Sequence, residues 1–281
     1  ARAAPVSLKP KAPSPETDRT CLLVLGMHRS GTSALTRVLS LMGADLPESV
    51  MGAGEGNDTG HWESERLARL HDALFADAAS AWHDWRPLDF THITPAQRER
   101  FDSDLRAAIR ADYPGNRLFV LKDPRVCRAP DLTINALTDL GVRVAPIMAF
   151  RNPLEVMASL MARGAYWPDG LSRADAALLW LSHSLESERA TRDRPRLVLD
   201  CGDLARTWRT AVDRTVAELQ VSFPHDADTA QALVEGFLDT SRRRQAADPA
   251  AVAVDPDTRG WVSDAFDALR LLEADPGSTH A

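Results

Sequence analysis

The run LLVLGMHRSGTSALTRVLSLMG, Leu22 to Gly43, carries the residues best suited to chemistry in this chain. Gly26 and Gly31 have the G-x-x-x-x-G spacing of a phosphate-binding loop, in which small residues let backbone N–H groups converge on an anion. Further donors stand inside and just after the loop: His28, Arg29, Ser30, Thr32 and Ser33. A helix beginning near Thr32 adds the favourable field of its N-terminus. Nucleoside triphosphatases place Lys directly after the second glycine, but this chain has Thr32 there, and its cation is Arg29, within the loop. The segment reads as a cradle for a phosphate or sulfate group.

The displaced cation matters because phosphoryl transfer relies on the loop lysine and on a carboxylate-held magnesium to neutralise charge. A sulfuryl group is less charged and can be handled without a divalent metal. HRSGTS, with its cation before Ser-Gly-Thr, resembles the 5′-phosphosulfate loop of sulfotransferases that use 3′-phosphoadenosine 5′-phosphosulfate (PAPS). The resemblance covers roughly residues 20 to 210 and is strongest in two motifs. It implies a P-loop-like α/β fold, PAPS as donor with 3′-phosphoadenosine 5′-phosphate as product, no metal, and a hydroxyl of a carbohydrate, lipid or natural product as acceptor. The second motif it implies is a 3′-phosphate site, Arg followed by Asn-Pro and then Ser eight residues on, which FRNPLEVMASL supplies as Arg151, Asn152, Pro153 and Ser159. Pro153 suits the first turn of a helix, so Arg151 ends a strand and Ser159 lies two turns up.

Two more stretches resemble bacterial members of the family: FVLKDPR (119 to 125) and NDTGHWESERLARLHDALF (57 to 75), the latter like the acceptor-side segment. FLDTSRRRQ (237 to 245) is a weaker echo, in which Arg242, Arg243 and Arg244 either close over the nucleotide or form a solvated basic face. One departure stands at DCGDL (200 to 204), where Cys201 replaces the aromatic expected near the adenine.

Sulfuryl transfer to a hydroxyl needs cations on the developing charge and a base for the acceptor proton. Arg29 is the expected cation, working by fixed hydrogen bonding and charge because a guanidinium does not give up its proton. Lys122 is either a second cation or the ion-pair partner of Asp123. The candidate bases are His28, His61, Glu63, Glu65 and Asp123; the resemblance favours Glu63, in GHWES. Trp62, Trp82 and Trp85 are either core or the flat walls of an acceptor pocket.

The elements that must position these residues follow from apolar periodicity. CLLVL (21 to 25), LFVL (118 to 121), RVAPIMAF (143 to 150) and RLVL (196 to 199) read as buried strands. Leu35, Val38, Leu39 and Met42 share helical spacing, as do Pro153, Val156, Met157, Leu160 and Met161, and Ala177, Trp180, Leu181 and Leu185. The alternation predicts a parallel sheet flanked by helices, with a mainly helical part after about residue 200 interrupted by a loop at 246 to 260. Residues 52 to 60 read as a loop, and Trp62 to Trp85 as a tryptophan-rich helical region.

The chain has 281 residues and a net charge of -7, which argues against a general nucleic-acid or anionic-membrane surface. Cys21, Cys127 and Cys201 show no metal spacing and suit a reducing compartment, and no apolar run is long enough to span a bilayer. A cytoplasmic enzyme is expected, with residues 1 to 19, rich in Pro and charge, as an arm or linker to a larger protein and 20 to 281 as the catalytic domain. A nucleotide kinase or triphosphatase with a degenerate loop, or a non-catalytic nucleotide-sensing domain, are the alternatives.

Overall fold

A computed structural model describes residues 19–52, 54, 60–162, 170–240 and 246–275. Its elements run β1 (Thr20–Leu25), α1 (Thr32–Leu41), α2 (Glu65–Asp77), α3 (Pro95–Asp112), β2 (Leu118–Lys122), α4 (Pro130–Asp139), β3 (Arg143–Phe150), α5 (Pro153–Met161), α6 (Arg173–Thr191), β4 (Leu197–Asp200), α7 (Leu204–Leu219), α8 (Ala227–Thr240) and α9 (Trp261–Ala274). The four strands form one sheet in the order β2-β1-β3-β4, every pairing parallel. This is the α/β architecture expected from the sequence.

Strand alternation assigns the layers. Leu22, Val24, Val120, Ala145, Ile147 and Leu199 turn to one face, under α1, α7 and α8. Cys21, Leu23, Leu25, Phe119 and Leu121 turn to the other, under α2, α3 and α4, and Met148, Phe150 and Val198 continue that face under α5, α6 and α9. Both faces are covered, which is why the strands read as continuous apolar runs.

The strand order sets the site. From β1 the chain travels to one side of the sheet to form β2, and from β3 to the other to form β4. The crevice beyond the carboxyl ends of β1 and β3 is therefore a topological switch point, where open α/β sheets bind ligands.

Four expectations change. Trp62 to Trp85 is not one helix: α2 starts only after Ser64, whose Oγ accepts from Leu67 N at 2.9 Å, and it ends at Asp77, with Ala79 turned to φ 51. All three tryptophans lie outside it. The loop at 246 to 260 contains a 3₁₀ turn, Pro249–Ala253, started by Asp248, whose carboxylate accepts from Ala250 N at 2.9 Å. The apolar stripe of α6 stops at Leu181, since Leu185 is 51% exposed. At the start of the chain, Arg19 belongs to the fold: its side chain donates to the carbonyls of Tyr113 and Asn116 at 2.6 and 3.0 Å. The rest of the arm expected at 1 to 19 lies outside the described residues, as do Arg242, Arg243 and Arg244.

Candidate active site

The loop after β1 is shaped by close backbone approach. A Cβ on Gly26 would sit 2.2 Å from the carbonyl oxygen of Ala149 in β3, and one on Gly31 would sit 2.7 Å from Cys201 Cβ after β4. Gly31 has φ 82 and is the N-cap of α1; no side chain caps this helix and its first turn holds no acidic residue. A helix start left in this way suits an anion. Gly26 N donates to Cys127 Sγ at 3.1 Å, and burial pushes that thiol up to about 11, so it stays protonated. Burial raises the Cys201 thiol as well.

Within the loop, Arg29 has φ 72, a left-handed conformation that costs a non-glycine residue on the order of 1 kcal/mol or more. This geometry brings two distant motifs together. Arg29 Nε donates to Ser159 Oγ on α5 at 2.8 Å, and Arg151 Nη1 donates to the Arg29 carbonyl at 3.4 Å. Arg151 follows β3, and α5 starts on Asn152, whose side chain accepts from Leu154 N at 2.9 Å, with Pro153 at its first position. Ser30 is fully buried with an Oγ that has no hydrogen-bond partner among the described residues, and Thr32 is buried at the first position of α1.

A second cluster adjoins the first. Lys122 ends β2 on the same sheet face as Val120, toward α1, and its Nζ donates to Ser33 Oγ at 3.0 Å and to Glu63 Oε1 at 2.6 Å. Glu63 precedes the N-cap of α2, is 3% exposed, and also faces Arg125 at 3.3 Å. Burial pushes its carboxyl above the usual range, with Lys122 opposing and Asp123 reinforcing the rise. Of the two readings of Lys122, the ion pair with Asp123 is not formed: the lysine serves Glu63, and Asp123 Oδ1 accepts from Arg125 N and Nη1 at 3.0 and 3.1 Å. Strand alternation is the reason, since consecutive residues at a strand end point to opposite faces. Asp123 Oδ2 is buried without a partner among the described residues. Arg125 is raised further because Asp123, Asp72 and Glu63 outweigh its burial.

The remaining candidates separate. His28 is half-buried and packs against Trp82 with the rings tilted by 46° and their centroids 4.4 Å apart. The His61 carbonyl accepts from Ser33 Oγ at 3.3 Å. Glu65 is drawn away to Arg69 on the surface of α2, at 2.7 Å. Trp62, at φ 59, lies under Arg37 at 4.7 Å. Trp85 donates to Asp175 at 3.1 Å and lines a cavity of about 580 Å³ with Ser80, His83, Asp84 and Arg86. Trp82, adjacent in the chain to that wall, joins it to the loop through His28.

Sequence reasoning missed Glu155, Arg125, Cys127 and Ala247. The i,i+4 spacing of Arg151 and Glu155 was an available signal. Arg125 lies within FVLKDPR, two residues from the Asp123 it serves, while Cys127 and Ala247 meet the site only through tertiary contact. No group of three or more His, Cys, Asp or Glu side chains able to hold a metal ion occurs among the described residues, and no described helix is long and apolar enough to cross a membrane.

No family model and no curated protein matches the sequence. Among solved structures, the chain is similar to the sulfotransferase domain from the Synechococcus PCC 7002 olefin synthase, at 18% identity, covering 94% of this chain and 97% of that one, with a TM-score of 0.49.

Proposed function

We propose that the protein is a PAPS-dependent O-sulfotransferase that transfers a sulfuryl group to an acceptor hydroxyl. The observation that carries this reading is the hydrogen bond of 2.8 Å from Arg29 to Ser159, across 130 positions of sequence. Two anion motifs, each suited to one phosphate of a 3′,5′-substituted nucleotide, share one crevice at the switch point of the sheet.

In this reading the loop N–H groups, Ser30, Thr32 and Ser33 hold the 5′-phosphosulfate. Arg151 and Ser159 hold the 3′-phosphate. Arg29 stands between the two and supplies fixed positive charge as the bridging oxygen departs. Glu63 takes the acceptor proton; its burial favours the protonated form that results, and Lys122 holds the ionised form that must precede it. Asp123, with one buried oxygen left over, is the alternative base. The acceptor enters from the side of His28 and Trp82, where the cavity beside Trp85 offers one flat apolar wall among polar groups, as a carbohydrate, lipid or natural product needs.

Thermal unfolding tests the reading. Adenosine 3′,5′-bisphosphate without metal should raise Tm, because it engages both anion sites of the native state only, and about 2.7 kcal/mol is expected at a hundredfold excess over Kd. Equal or greater stabilisation by magnesium ATP rejects it. Transfer of labelled sulfate from PAPS to a panel of hydroxyl compounds separates an enzyme from a nucleotide sensor.

A further inference from the structure

Arg151 does not stand alone after β3. Its Nε donates to Glu155 Oε2 at 2.5 Å, one turn up α5, and the Glu155 side chain is fully buried. The other carboxylate oxygen, Oε1, accepts from the backbone N–H of Ala247 at 2.9 Å. The carbonyl of the same residue accepts from Asn152 Nδ2 at 3.3 Å. Both backbone groups of Ala247 are thus held by the first turn of α5, and one of the two holders is the carboxylate that orients Arg151. Beyond it, Val252 sits in the core at 1% exposure, and Arg173 pairs with Asp255 and Asp257 at 2.7 Å each. Residues 247 to 257 therefore form a strap pinned at one end to the core and at the other to the partner of Arg151.

We propose that Glu155 is a positioning residue that couples occupation of Arg151 by a 3′-phosphate to docking of the strap at Ala247. With Nε committed to Glu155, the guanidinium cannot turn about its last bond without breaking a charge-assisted contact, so its fork is pre-oriented. A buried carboxylate needs compensation. When a phosphate competes for Arg151, Glu155 relies more on the Ala247 N–H, and the strap tightens. By reciprocity a docked strap strengthens phosphate binding by the same factor. The inference rests on the assignment of Arg151 to a 3′-phosphate made above.

The test compares adenosine 3′,5′-bisphosphate with adenosine 5′-phosphate by titration calorimetry, together with amide exchange at 246 to 253. Glu155→Gln has a single acceptor oxygen and cannot serve Arg151 and Ala247 together, so bisphosphate affinity should fall about tenfold while the 5′-phosphate changes less than about twofold. Ala247→Pro removes the N–H and fixes φ at 247 while leaving the Arg151 and Glu155 side chains unchanged, and it should reproduce most of that selective loss. In the wild type, the bisphosphate should slow exchange at 246 to 253 and the 5′-phosphate should not. Equal weakening of both nucleotides in Glu155→Gln, or unchanged bisphosphate affinity in Ala247→Pro, overturns the coupling. If the wild type does not distinguish the nucleotides, the 3′-phosphate assignment fails first; the clamp is then judged by exchange alone, and unaltered exchange at 246 to 253 in Glu155→Gln rejects it too.

Discussion

The two sides that the proposed reading gives to nucleotide and to acceptor are built on different principles. Gly26 to Ser33 and Arg151 to Ser159 are each a strand end running into a helix, and their shape comes from backbone: a close pass at Ala149, a left-handed Arg29, a proline-started α5. The acceptor side, from Glu63 to Trp85 with Lys122 to Arg128, is held by buried charge, with Glu63, Lys122, Asp123 and Arg125 in one network and Asp72 at its edge. The first construction fixes a geometry that any sequence with the right glycines and proline can adopt. The second depends on every member being present. Substitutions should therefore spare stability at the first side and cost it at the second.

The largest effect should come from Lys122→Met, which keeps the apolar stem but leaves Glu63 buried with Arg125 as its remaining cation, itself shared with Asp72 and Asp123. Removing one partner of a buried pair costs about 3–5 kcal/mol, so urea unfolding should show a drop near the lower end of that range. Loss of less than about 1 kcal/mol would mean that Glu63 is readily protonated or hydrated, and the contrast between the two sides would weaken.

Arg29→Gly tests the other half. Glycine accepts φ 72 without strain but adds chain entropy to the unfolded state, two effects of similar size, so only the lost bond to Ser159 should show, about 1 kcal/mol of stability. The rate of sulfuryl transfer should nevertheless fall on the order of 10²- to 10³-fold, the usual effect of removing one preorganised donor to developing charge. A marked loss of stability with little loss of rate would reverse the assignment and make Arg29 a structural link to Ser159.

The same contrast explains what the sequence disclosed. The placement of Gly26, Arg29 and Gly31 in a strand-to-helix loop, and of Arg151 and Ser159 at a strand end and on the helix after it, was legible once strand and helix were recognised, and the strands were recognised from apolar runs that a parallel sheet buries on both faces. The partners of Lys122 were not legible. Glu63 is 59 positions away, and only β2 packing beside α1 and the entry into α2 brings the two together. Glu155 lies between these cases, visible by spacing from Arg151 but not by its second partner at Ala247. The tryptophan-rich segment misled because its apolar residues suggested one helix, whereas Ser64 and Ala79 confine α2 to the stretch between them.

Ser33 is where the two constructions touch, and it gives the smallest and most discriminating effect. Its Oγ accepts from Lys122 at 3.0 Å and donates to the His61 carbonyl at 3.3 Å, while its backbone lies in the first turn of α1. Ser33→Ala removes both hydrogen bonds of its Oγ from a half-buried position, and Lys122 retains Glu63, so about 1 kcal/mol of stability should be lost. Bisphosphate affinity should fall only a few fold, since the loop keeps its backbone donors. The informative quantity is the coupling with Glu63→Gln in a double-mutant cycle. If Lys122 transmits the state of Glu63 to the cradle, the two substitutions should be non-additive in bisphosphate affinity by more than about 0.5 kcal/mol, although Glu63 touches no nucleotide in the proposed reading. Additivity within about 0.3 kcal/mol would show that the nucleotide and acceptor sides act independently, with Lys122 holding Glu63 but telling the loop nothing of it.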